Sequence, residues 1–204
     1  MGRVTTRKTS PYYREVLSLE PIARWRNKVL GINPSPRLRT HRQFAGALSY
    51  RDQTLNLLAG IQSENIHYLE IGVRRGRTLE RIKARQKTGV EPAPLFDQRR
   101  LPRGVRIVQA SSDAYFSEAY TRRSTDLVFI DGLHTFEQSW RDFCNAAREM
   151  NPWGVIVLDD VWPQSQASSL ADPLAAEREK QKELEPTQGW QGDVWKTVSA
   201  IQTI

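Results

Sequence analysis

Three aspartates and one histidine stand where chemistry can be done. Asp131 closes the apolar run Leu127-Val-Phe-Ile130, and Asp159-Asp160 close a second run, Val155-Ile-Val-Leu158. Runs of this kind read as strands covered on both faces. If the two are neighbours, their carboxyl ends bring three carboxylates together. Like charges resist ionising side by side, so such a cluster calls for a cation. Oxygen-only ligands suit Mg²⁺ or another hard divalent ion. The competing reading has Asp131 contacting a cofactor while Asp159 and Asp160 cap a loop. His134 follows Asp131 by three residues. An imidazole titrates near neutrality, so His134 could take a proton from a hydroxyl; its alternative role is to cap the next helix. His41 and His67 lie away from these runs and read as non-catalytic.

A second set lies upstream. The run Tyr68-Leu-Glu70-Ile-Gly72 is followed by Val-Arg-Arg-Gly76. Two glycines at a strand end let the chain turn sharply and let backbone approach a ligand closely. The dinucleotide pattern G-x-G-x-x-G is absent, because Arg74 falls where its second glycine would be. That argues against a pyrophosphate pressed onto the loop and leaves a pocket for a smaller cofactor. Glu91 lies 21 residues after Glu70, at the end of the next expected strand. An acid in that place accepts hydrogen bonds from ribose hydroxyls.

These residues need elements that hold them on one edge. Strands are expected at 68–72, 89–92, 105–109, 127–130 and 155–158. Helices are expected at 78–85, 114–125 and 135–150, the last with Phe136, Trp140, Phe143, Ala147 and Met150 at helical spacing. Alternation of this kind means a parallel sheet with right-handed crossovers, whose ligands bind beyond the carboxyl ends of the strands. The expected class is a doubly wound, mostly parallel, Rossmann-like α/β sheet. A basic disordered tail over 1–10 and a helical segment over 11–64, broken at Asn33-Pro-Ser-Pro36, would precede it. Residues 161–191, with a helical stretch at 172–185, are long enough for a lid or substrate loop. Trp195 would pack against the sheet, and Lys196 would be a solvated charge.

The chain has 204 residues, 39% apolar and 26% charged, enough for one domain with a real core. No apolar run is long enough to span a membrane, and the N-terminus has no secretory pattern. Met1-Gly2 with Thr6 fits only the loose myristoylation pattern. Cys144 is the single cysteine, which excludes an intramolecular disulfide and makes a reducing cytoplasm the expected location. Charge is uneven: 22 of the 30 Lys and Arg, but 8 of the 23 Asp and Glu, precede residue 111. A basic half can face nucleic acid, an anionic membrane or an anionic substrate. No N/D-P-P-Y/F motif for base amines and no interleaved aromatic and basic stripe is present, which argues against nucleic acid. Oligomeric state, a homo-oligomer included, is open.

Five segments in order carry a resemblance: Val90-Glu-Pro-Ala-Pro94, Ser112-Asp113-Ala-Tyr-Phe116, Phe129-Ile-Asp-Gly-Leu-His134, Gly154-Val-Ile-Val-Leu-Asp-Asp160 and Gly192-Asp-Val-Trp-Lys196. Over residues 65–200 the chain resembles the class I S-adenosylmethionine-dependent methyltransferases, in particular small bacterial members related to metal-dependent O-methyltransferases. The resemblance implies that Glu70, Gly72 and Gly76 surround the methionine part of S-adenosylmethionine, that Glu91 holds its ribose, and that Ser112 or Asp113 lies near its adenine. Taken with the residues read above, the expectation is methyl transfer to a small-molecule acceptor at a hydroxyl, with Asp131 and His134 as catalytic residues; the resemblance to metal-dependent O-methyltransferases agrees with Asp131, Asp159 and Asp160 as Mg²⁺ ligands. Two features depart from the pattern. The two strands that normally follow the Gly192-Asp-Val-Trp-Lys helix are missing before Ile204, and Asp159 stands where many close relatives carry histidine. The alternatives are an inactive cofactor-binding protein of the same fold and a nucleic-acid methyltransferase or binder.

Overall fold

The structure, a computed structural model, describes residues 49–63, 65–118, 124–183 and 189–204. The tail expected over 1–10 and most of the segment expected over 11–64 lie outside the described residues. Five strands, β1 (His67–Ile71), β2 (Gln86–Val90), β3 (Val105–Val108), β4 (Thr125–Ile130) and β5 (Met150–Leu158), form one sheet in the order β3-β2-β1-β4-β5. Every neighbouring pair is parallel. The helices are α1 (Tyr50–Gln62), α2 (Arg77–Arg81), α3 (Ser112–Glu118), α4 (Phe136–Glu149), α5 (Pro173–Lys180) and α6 (Trp195–Ile201).

The register is what builds a site. Ile71 pairs with Val90 on one side and with Ile130 on the other, and Ile130 pairs with Leu158. Four strands therefore end level, and the residues that follow them, Gly72, Glu91, Asp131 and Asp159, emerge along one edge. Alternation along the strands feeds two cores. Tyr68, Leu127 and Phe129 pack with Leu55, Ala59 and Leu79 on one face; Leu69, Ile71, Val128 and Ile130 pack with Ala146 on the other. Central strands buried on both faces explain the unbroken apolar runs.

Several expectations need correction. The helix expected over 78–85 stops at Arg81, because Ile82 turns extended and buries. Lys87 reaches back to donate to the carbonyls of Leu79 (2.9 Å) and Glu80 (3.0 Å), closing the last turn. Strand β2 then starts at Gln86 rather than Gly89. The buried face of α4 is mostly polar, with Gln138, Ser139, Asp142, Ala146 and Glu149, while Ala147 is exposed. Ser139 meets Thr197 of α6 at 2.6 Å, so this helix pair is joined by hydroxyls. Strand β5 is half-buried at 155–158 rather than fully buried, because it is an edge strand. Trp195 is 38% exposed instead of packed on the sheet, and Lys196 is ion-paired with Asp193 at 2.8 Å.

Candidate active site

The turn after β1 is shaped by close approach. Gly72 has φ +88, and a Cβ there would stand 1.9 Å from the Asp131 carbonyl oxygen. Only glycine lets the β1 and β4 ends pass so closely. Gly76 (φ +73) starts α2, and a Cβ on it would press on the Phe96 ring at 3.3 Å. Glu91 ties this turn to the end of β2: its carboxylate accepts from the backbone N–H of Arg74 (2.8 Å) and of Ala93 (2.9 Å). Each oxygen keeps a second lone pair for a ligand hydroxyl. Glu70, expected beside the methionine part of the cofactor, is buried beneath the turn, where Tyr68 Oη donates to it at 2.8 Å. Burial pushes its carboxyl up to about 8.

Ser112 and Asp113 open α3 and are joined to α4 by the Gln138 amide, at 3.0 and 3.1 Å. The same amide donates to Asp142 at 3.0 Å. Asp142 is buried, and its Oδ2 has no hydrogen-bond partner among the described residues. That oxygen lies 3.4 Å from where a Cβ of Gly132 would be. A glycine cradle with an orphaned buried oxygen behind it is the kind of site a polar cofactor fills. Asp142 and Gln138 were missed from sequence because they sit on a helix face that reads as solvated.

The sheet brings the catalytic candidates together as expected. Asp131, Gly132, His134, Asp159 and Asp160 line one small cleft with Ser139 and Val194. His134 Nε2 lies 3.0 Å from Asp160 Oδ2 and 3.7 Å from Asp131 Oδ1. Its Nδ1 lies 2.8 Å from the Trp190 carbonyl oxygen, and its ring stacks on that of Trp190 at 5.3 Å. A carbonyl only accepts, so Nδ1 carries a proton and the neutral ring keeps its lone pair on Nε2. Burial opposes the charged form of His134, but the nearby Asp131 and Asp160 carboxylates outweigh it, and the pKa rises above its ordinary value. Burial also pushes Asp160 up to about 6 and raises Asp159, with Asp131 adding to both shifts.

The Gly192-Asp193 turn sets His134 in place. Gly192 (φ +64) passes so close that a Cβ would meet the His134 carbonyl oxygen at 1.7 Å. Asp193 Oδ1 accepts from Phe136 N–H at 2.7 Å and caps α4 from a distant part of the chain. The end of the segment expected as a lid is tied down: Gln191 and Gly192 N–H both donate to Ser168 O, and Trp190 Nε1 donates to Leu170 O.

One residue of the cluster had no signal in the sequence. Arg51, on α1, places Nη1 3.0 Å from Asp131 Oδ2, and its Nη2 is ion-paired with Asp159. The expected trio of metal ligands is thus not a free set. Asp131, His134 and Asp160 still offer three ligand atoms within 4.8 Å of one another. A divalent ion shared by Asp131, Asp159 and Asp160 does not fit beside the guanidinium that already holds two of them. His67 is structural, bridging Ser124 O and Thr88 Oγ1; His41 lies outside the described residues.

A parallel β3-β2-β1-β4-β5 sheet, with a glycine turn after β1 and an acid after β2, is the fold of the class I S-adenosylmethionine-dependent methyltransferases. The chain belongs to the methyltransferase domain family, whose model matches residues 26–161. Among solved structures, the O-methyltransferase of Bacillus cereus in complex with SAH is 18% identical, with a TM-score of 0.52 over 95% of this chain and 83% of that one. The SAH-bound methyltransferase PaMTH1 of Podospora anserina is 12% identical, with a TM-score of 0.54 over 98% and 91%. No curated protein matches the chain. No helix among the described residues is long and apolar enough to cross a membrane.

Proposed function

We propose that the protein transfers the methyl group of S-adenosylmethionine to a hydroxyl of a small-molecule acceptor. The aim of His134 carries this reading: Nδ1 is committed to the Trp190 carbonyl, and Nε2 faces Asp160 and Asp131 at the ends of β5 and β4. The bound cofactor supplies a methyl group already activated on a sulfonium. The protein's task is then to place two reactants in line. Gly72 and Gly76 give room for the methionine part, Glu91 offers its free lone pairs to the ribose, and Ser112 and Asp113 stand on the adenine side. An acceptor hydroxyl gives its proton to Nε2 of neutral His134, and Asp160 and Asp131 stabilise the imidazolium that results. Among the described residues, the three carboxylates pair with Arg51 and His134, and this acidic lining favours a neutral hydroxyl over an anionic acceptor.

The test is transfer of labelled methyl from S-adenosylmethionine to a panel of catechols, phenols and hydroxylated sugars. Wild type labels at least one class, and His134→Ala loses roughly 10²–10⁴ of the rate. An undiminished rate in a folded His134→Ala variant overturns the assignment of the base. Labelling of nucleic acid in place of the whole panel overturns the acceptor class.

A further inference from the structure

The acid cluster contains a cation of its own. The two outer nitrogens of Arg51 engage different carboxylates, Asp131 and Asp159, which end neighbouring strands. The guanidinium carbon stands 5.4 Å from the centroid of the buried Phe129 ring. A planar fork held by two carboxylates and an aromatic face is a seat that suits arginine. The helix that delivers it is fastened independently. Ser49 and Asp52 exchange reciprocal capping bonds at the start of α1. Asp52 ion-pairs with Arg81 at 2.9 Å. Asn56 accepts from Lys83 N–H at 2.7 Å and donates to the Arg81 carbonyl at 3.2 Å. Leu55 and Ala59 anchor the helix in the core. Arg51 is thus set from behind by at least four contacts that do not involve the acids.

We propose that Arg51 is the resident counter-cation of the Asp131–Asp159 pair, occupying the place a divalent ion would take, so that the protein works without a metal. Carboxylates crowded at neighbouring strand ends need compensating charge. A guanidinium supplies it in charge-assisted contacts, one to each carboxylate, and is never deprotonated. It also repels a second cation from the same oxygens. Arg51 remains charged here: burial opposes its charge, but Asp159 and Asp131 outweigh burial and raise its pKa. Its role is to hold Asp131 and Asp159 ionised and oriented beside His134, which makes it a positioning residue. The converse follows directly. With the guanidinium removed, Asp131, Asp159, Asp160 and His134 become an open set of oxygen and nitrogen ligands, and the cluster gains a divalent-cation site.

The experiment is Mn²⁺ binding to the full chain, followed by electron paramagnetic resonance of free Mn²⁺ and by thermal melting, in wild type, Arg51→Ala and Arg51→Lys. Wild type binds Mn²⁺ weakly, and its Tm does not respond to the ion. Arg51→Ala binds about tenfold more tightly or better, as loss of one adjacent like charge implies, and Mn²⁺ raises its Tm. Arg51→Lys keeps the charge and stays close to wild type, and it remains informative if the alanine variant folds poorly. Equal weak binding in wild type and Arg51→Ala overturns the proposal, as does tight binding in wild type. Methyl transfer by wild type survives exhaustive chelation; loss of transfer to chelator overturns the proposal. That last arm rests on the proposed methyl transfer, whereas the Mn²⁺ contrast does not. Separate titration with S-adenosylhomocysteine shows which of the two has failed.

Discussion

At the scale of single residues, His134 concentrates the account. Its Nδ1 is fixed as a donor, its Nε2 looks at two acids, and its pKa is raised chiefly by the Asp131 and Asp160 carboxylates. A base must be neutral before it accepts a proton. The rate should therefore climb with pH through an apparent pKa above the ordinary 6.5 or so of histidine. Asp160→Asn removes one of the charges that hold the proton on, so the rising limb should move to lower pH. A pH–rate profile of kcat/KM for both proteins checks this, and an unmoved limb would show that Nε2 is not the titrating base. Asp131, His134, Asp159 and Asp160 were legible in the sequence because each follows a strand that announces itself by an apolar run. Arg51 was not, because it lies 80 residues from Asp131 on an unrelated helix, and one arginine among many basic residues carries no spacing signal.

At the scale of elements, the site depends on how strand ends and loops are levelled. Strand order and the carboxyl edge could be read from alternation alone, since a buried parallel strand has a one-line signature. Helix ends could not. The true end of α2 depends on Lys87 reaching back across a turn, and the buried face of α4 depends on hydroxyl partners from α3 and α6. Neither is a local property. The Gly192-Asp193 turn illustrates the same coupling, because Asp193 caps α4 from 57 residues away. Asp193→Ala should cost about 0.5–2 kcal/mol of stability, as for other lost helix caps. It should also slow methyl transfer more than it weakens S-adenosylhomocysteine binding, because the cap sits two residues after His134. Urea melts and steady-state kinetics read the two effects. Equal losses in rate and affinity would mean that the turn supports the whole pocket rather than His134.

At the scale of the molecule, the sheet edge concentrates groups that prefer to be protonated when folded. Burial raises Glu70 to about 8 and Asp142 and Asp160 to about 6. A carboxyl whose folded pKa exceeds its unfolded value binds more protons in the native state. Stability should accordingly fall as pH rises from about 4 towards 8, by up to about 1.4 kcal/mol per pH unit for each such group inside its own window. The raised pKa of His134 has the same sign: its contribution is complete below the unfolded value and fades as pH rises through the folded one. Glu70→Gln should flatten the upper part of this slope, between the windows of the two aspartates and pH 8. Denaturant unfolding at a series of pH values measures it, and an unchanged slope in Glu70→Gln would place the titration elsewhere.

The central claim is that the edge shaped by Gly72, Gly76 and Glu91 holds S-adenosylmethionine. Calorimetric titration of S-adenosylhomocysteine into wild type and Glu91→Ala tests it most directly. Loss of the carboxylate removes the tie between Arg74 and Ala93 and, on the proposed reading, the bonds to ribose hydroxyls. Wild type should bind saturably, and Glu91→Ala should bind more weakly by about 1.5–3 kcal/mol, the usual worth of a hydrogen bond to a charged group. No heat of binding in the wild type, or undiminished affinity in a folded Glu91→Ala variant, would contradict the account.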